Sequence, residues 1–95
     1  LKKVELISVK ASSSKKVKVK WKKGAGCQGY QIIYSTNSKF KNATSKIIKN
    51  AKTTNYALSG LKKGKKYYVK IRSYRKVNGG YLFSQWSNTK KVKVK

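Results

Sequence analysis

The chain has 95 residues, enough for one domain with a single core, and its formal net charge is +25 at pH 7. It contains one acidic residue, Glu5, and no histidine. The acid–base pairs of hydrolytic enzymes and the common metal-ligand sets therefore cannot be assembled from this chain alone. We expect a protein that is not an enzyme, has no catalytic or metal site and no cofactor, and attracts anionic partners.

The sequence also bears on membrane and signal segments, on a larger parent protein and on disulfide bonding. No run approaches the roughly 18 apolar residues of a membrane span, and the N-terminus lacks a signal-peptide pattern. Methionine is absent, which predicts that residues 1–95 are one domain cut from a larger multidomain protein. Cys27 has no second cysteine to pair with, so it is expected to be a small residue tucked under a loop.

Apolar and polar residues alternate with a period of two through most of the chain, which is typical of half-buried β-strands. The first strand is predicted at 4–10, with either a bulge or a misplaced register where Leu6 and Ile7 break the alternation. The second, at 16–22, alternates lysine with Val17, Val19 and Trp21. Further strands are predicted at 30–34, 45–49, 56–58, 67–74 and 90–95.

The punctuation between these strands supports an antiparallel arrangement. Asn78 and Gly79 predict a hairpin with a type I′ turn, because both residues tolerate a positive φ. Seven short strands with regularly spaced turn signals predict an all-β, immunoglobulin-like sandwich. Its core is expected to contain Val17, Val19, Trp21, Tyr30, Ile32, Tyr34, Tyr56, Leu58, Leu61, Tyr67, Val69 and Ile71.

The segment NYALSGLKKGKKYYVKIRSY at 55–74 resembles the fibronectin type III family. The resemblance implies that Leu61 closes the bottom of the core, Gly64 makes the turn, and the Tyr67 hydroxyl bonds back to the backbone upstream. Trp21 is similar to the family's core tryptophan, GYQIIYS at 29–35 to its third strand, and SQWS at 84–87 to the entry to its last strand in bacterial members. The lysine-rich composition is similar to that of copies in extracellular, cell-wall-associated proteins of Gram-positive bacteria.

The best candidate for a binding face combines aromatic and cationic side chains, which can stack on sugars or bases. It consists of the outward-pointing residues of the sixth predicted strand and one neighbour: Tyr68, Lys70, Arg72, Tyr74 and Ile33. The alternative is that these cations and rings only pack against one another.

Two functions from different classes fit these observations. The first is a structural spacer of a cell-surface protein, with neighbouring domains of the same chain as partners and weak attraction to anionic wall polymers. The second is a binding module for anionic polysaccharide or nucleic acid. Nucleic acid is the less favoured ligand, because 24 of the 26 cationic residues are lysines and base recognition favours arginine. An Arg-Gly-Asp integrin motif is excluded, because the chain has no Asp.

Overall fold

The computed structural model describes all residues 1–95, and its regular elements are eight β-strands. No helix has the length and apolar composition needed to cross a bilayer. The strands are β1 (Leu6–Ser13), β2 (Lys16–Trp21), β3 (Gly29–Ser35), β4 (Thr44–Ile48), β5 (Asn55–Leu58), β6 (Lys66–Val77), β7 (Gly80–Phe83) and β8 (Lys90–Lys93).

The strands form two antiparallel sheets, which confirms the predicted sandwich. The smaller sheet has the order β1-β2-β5, and the larger has the order β4-β3-β6-β7 with β8 also paired to β6. In β2 the alternation of lysine with Val17, Val19 and Trp21 puts the lysines in solvent and the apolar side chains inside. The apolar inner faces of the two sheets pack against each other to form the core. Across it, the ring centroids of Trp21 and Tyr30 lie 5.4 Å apart.

The prediction of seven strands missed β7. Both β7 and β8 run antiparallel to β6 along the same edge: residues 80–83 pair with 74–77, and residues 90–93 pair with 66–69. The last strand of the sandwich is thus divided into two parts, with residues 84–89 between them.

Two local predictions had different outcomes. The break in the alternation at Leu6 and Ile7 coincides with a shift of the register with β2 between Leu6 and Ser8, a β-bulge or similar irregularity. The hairpin at Asn78 and Gly79 is present, but the predicted type I′ turn is wrong. That turn needs a positive φ at both residues, and of the two only Gly79 has one, at 86°.

The predicted core is largely correct, but Tyr56 was placed there wrongly. It lies opposite Val19 yet is 36% exposed, because β5 is the edge strand of the smaller sheet and no strand covers its far side. Cys27 is half-buried and packs against the core. The predicted core did not include four residues of the buried cluster, which come from the chain ends and from an edge strand: Val4, Leu6, Ile48 and Val94.

Candidate functional site

The outer face of the five-stranded sheet carries the aromatic and cationic residues of the predicted binding face. On β6, Tyr68, Lys70 and Arg72 point outward and are half-buried. Ile33 on β3 lies directly opposite Lys70 and is also half-buried. Tyr74 is on the same face but is only 9% exposed, so it does not offer the open ring that the sequence suggested.

Arg72 is held by two rings and one amide. Its guanidinium carbon lies 3.7 Å from the centroid of the Phe83 ring and 4.3 Å from that of Trp86, both within the range of a cation–π contact. Its Nε donates a 2.7 Å hydrogen bond to Oε1 of Gln31. Burial lowers the pKa of Arg72 from its ordinary value. The cation is therefore already engaged by the protein's own groups.

Lys70 extends this arrangement toward the loop between β3 and β4. Its Nζ lies 4.4 Å from the centroid of the Phe40 ring and 4.9 Å from that of Trp86. Phe40 has a φ of 59°, an uncommon conformation for an aromatic residue, and its N–H donates to the Asn37 carbonyl at 2.9 Å. We call Phe40, Lys70, Trp86, Arg72 and Phe83 the cation–aromatic stack.

Two serines hold Trp86 against this face where the last strand is interrupted. Ser84 donates its N–H to the Ser73 carbonyl at 3.0 Å, and its hydroxyl accepts the Ser73 N–H at 2.9 Å. Ser87 makes the same pair of bonds with Ile71, at 2.8 and 3.0 Å. The serine hydroxyls thus take the place of strand carbonyls, so β6 stays hydrogen-bonded between β7 and β8.

Beside the cation–aromatic stack lies an open groove of about 270 Å³. Tyr74 forms its floor: its hydroxyl and ring lie where Gly29 has no side chain, 2.7 Å and 2.8 Å from the position a Cβ would take. Tyr81 meets Tyr74 edge to face, with centroids 5.7 Å apart and planes at 79°. We call this the aromatic groove, and its lining residues are Gln31, Ile47, Lys49, Tyr74, Tyr81 and Phe83.

Sequence reasoning thus placed the β6 residues on this face but missed most of their partners. Trp86 and Phe40 lie outside the strands, where alternation gives no direction. Tyr81 and Phe83 belong to β7, which was not predicted, although the alternation of YLF after the Asn78–Gly79 turn was an available signal.

The four residues singled out as structural lie away from this face. Trp21 and Leu61 are 1% and 4% exposed, and Gly64 has a φ of 79°. The Tyr67 hydroxyl accepts a 3.0 Å hydrogen bond from the Lys62 N–H, five residues upstream.

Comparison with known proteins gives the family. The sequence profile of the fibronectin type III domain matches residues 2–90. The chain belongs to this family. Fibronectin type III domains are generally binding or structural modules rather than catalysts, commonly occur in multidomain chains, and are often extracellular. A search among characterised proteins by sequence gave no match.

Solved structures show the same fold at low sequence identity. The FN1–FN3 domains of chicken CNTN1 superpose with a TM-score of 0.81 at 22% identity, over 99% of this chain and 31% of that one. An Fn3-like protein from Clostridium thermocellum gives a TM-score of 0.74 at 22% identity, over 95% and 88%. The FN3 domain of human collagen XX gives 0.76 at 14% identity, over 99% and 92%.

Proposed function

We propose that this fibronectin type III domain is a non-catalytic spacer in a larger protein of the bacterial cell surface. It separates or presents neighbouring domains of the same chain, and its charge adds weak attachment to anionic wall polymers. The bacterial, cell-wall assignment rests on the resemblance to lysine-rich copies of the module. The absence of catalysis rests on composition, since the chain offers one carboxylate and no imidazole.

The positions of the two chain ends carry the proposal. Leu1 lies beside Gly26, in the loop between β2 and β3. At the other end of β2, the Lys15 N–H donates a 3.0 Å hydrogen bond to the Lys95 carbonyl. The ends therefore lie at opposite poles of a molecule with dimensions of 42 × 25 × 20 Å. A domain entered at one pole and left at the other adds its length to a string of domains.

The charge of the domain fits a spacer whose neighbours must not stick together. The lysines of β2 are exposed, and Lys10 of β1 is exposed beside them. With one acid against 26 cationic residues, adjacent copies repel each other at low ionic strength and are drawn to any polyanion. This attraction is spread over the surface and is screened within about 8 Å at physiological salt.

Tandem copies test the spacer function directly. Proteins of one, two and three copies, joined end to end without added linker, should increase in maximum dimension by about 42 Å per copy in small-angle X-ray scattering. The matched control is the same series with a 12-residue Gly-Ser linker, which should increase the dimension further and broaden its distribution. Copies that fold back side by side, so that three are hardly longer than one, would contradict the proposal.

The weak attachment is tested on the single domain. Teichoic acid added at low salt should shift amide signals over most of the lysine-bearing surface, and the shifts should disappear at physiological salt. Attachment that persists at physiological salt would show that diffuse charge is not its basis.

A further inference from the structure

The aromatic groove has a composition that a spacer does not require. Three of its lining side chains are large and open to solvent: Ile47 is 51% exposed, Tyr81 57% and Phe83 43%. They come from strands on opposite sides of β3 and β6, so they meet only through the fold. Apolar walls that converge on a few polar groups are typical of small-ligand sites.

Tyr74 supplies a polar group inside the aromatic groove. The residue is nine-tenths buried, and its ring is fixed between Gly29 and the edge of Tyr81. Its hydroxyl makes no hydrogen bond within the protein and is open to solvent, since Trp21 Nε1 is the only fully buried side-chain polar atom without a partner. The Tyr30 and Tyr67 hydroxyls are instead bonded to the backbone. A ligand hydroxyl in the groove would replace the solvent that the Tyr74 hydroxyl now faces.

The charges around the aromatic groove are all positive. Lys49 lines it, and Lys76 lies directly opposite Tyr81 in the register of β6 and β7. Both lysines also line the adjoining depression with Tyr74 and Tyr81. The only acid, Glu5, lies elsewhere, in a depression formed by the N-terminal residues and the loop after β2. This positive charge, which the groove shares with the rest of the surface, favours an anionic occupant.

We propose that the aromatic groove binds one sugar ring of an acidic polysaccharide, a polymer of pyranose units that carry carboxylates. The apolar face of the sugar lies on Tyr81, beside Phe83, a sugar hydroxyl bonds to the Tyr74 hydroxyl, and Lys49 and Lys76 attract the carboxylates. This site is distinct from the diffuse attraction of the spacer and is independent of it.

The geometry favours a sugar over single-stranded nucleic acid. Nucleic acid binding of this kind needs successive free ring faces along a cationic channel. Here Trp86 is in contact with Lys70 and Arg72, and Phe83 is in contact with Arg72. What remains open is one concave corner of about 270 Å³, which suits a single ring rather than a run of bases.

Amide-shift titration with α-1,4-linked galacturonate oligomers at 150 mM NaCl tests the proposal. The shifts should form one compact set at the aromatic groove. Tyr81→Ala should weaken binding about tenfold through the lost ring contact. Tyr74→Phe should weaken it about three- to tenfold, since only the hydroxyl is lost. Its matched control is Tyr68→Phe on the same strand, which should leave the affinity unchanged.

The role of charge is tested with two substitutions that remove the same charge. Lys49→Gln should weaken binding about two- to fivefold, and Lys18→Gln on the other sheet should have no effect. Equal effects of the two substitutions, or shifts that are diffuse and vanish at 150 mM NaCl, would overturn the proposal. So would binding of oligothymidylate or polyglutamate at the same residues with equal or higher affinity, because the site would then not be specific for a sugar.

Discussion

The two outer faces of the sandwich use the same cations in different ways. On the three-stranded sheet, the lysines of β2 stand free in solvent, and Lys10 lies directly opposite Lys18 with no acid or ring between them. On the five-stranded sheet, Lys70 and Arg72 lie over aromatic rings, and Arg72 also bonds to Gln31. The cations of the first face have no partners within the domain and repel one another, whereas those of the second face are paired with aromatic rings and an amide.

This difference follows from what surrounds each cation rather than from the strands themselves. Both β2 and β6 alternate strictly over most of their length, and both bury Val or Ile inward. Both strands have a neighbour on each side, but only the neighbours of β6 bind its cations. Gln31 of β3 and Phe83 of β7 contact Arg72, and Trp86 from residues 84–89 also contacts it. The alternation of apolar and polar residues thus fixes the face on which a side chain lies, and the residues of neighbouring strands determine its contacts.

Removing a serine that is hydrogen-bonded to β6 in the five-stranded sheet should have the largest effect on stability. Ser87→Ala leaves the buried Ile71 N–H without its 3.0 Å acceptor, which costs about 1–3 kcal/mol of the free energy of unfolding. Urea denaturation followed by circular dichroism measures this, and faster hydrogen exchange at Ile71 would locate it. Ser12→Ala, at an exposed position of β1, is the matched control and should stay within about 0.5 kcal/mol. Equal stabilities of the two variants would show that the serine bond is not needed.

Replacing the planar cation tests the cation–aromatic stack itself. Arg72→Lys keeps the charge but loses the flat guanidinium over Phe83 and Trp86 and the hydrogen bond to Gln31, at a cost of about 1 kcal/mol. Urea denaturation again gives the value. Arg75→Lys, the same change at an exposed position of β6, should have no measurable effect. If both arginines behave alike, the contacts of Arg72 contribute nothing to stability and the contrast between the two faces fails.

The fold could be predicted in most respects because its signals are local. Alternation in segments such as 16–21 gives both the strand and its buried side, and the break at Leu6 and Ile7 coincides with the register shift. The division of the last strand could not be predicted in this way. It depends on the Ser84 and Ser87 hydroxyls reaching the β6 backbone 11 and 16 residues away, and serine in a sequence equally indicates a turn.

For the candidate site, the sequence predicted which face of the sheet its residues lie on, but not their contacts. The register of β6 puts Arg72 and Tyr74 on the outer face, but the Gln31 partner of Arg72 is 41 residues away. The burial of Tyr74 depends on the glycine opposite it on β3, which lets the ring lie against the sheet. Both facts require the pairing of β3 with β6, and alternation within one strand does not give that pairing.

The smallest expected effect concerns the outer face of the three-stranded sheet, where the lysines have no partners. Lys10→Glu turns the opposed pair with Lys18 from repulsive to attractive, which should stabilise the domain by about 0.2–1 kcal/mol at low salt. The gain should disappear in 1 M NaCl, where charges are screened beyond about 3 Å. Lys52→Glu is the control: it also lowers the net charge by two, but its lysine is exposed in the turn before β5 and has no strand partner. If both variants are stabilised equally, the total charge of the domain, rather than the pair of Lys10 and Lys18, limits its stability.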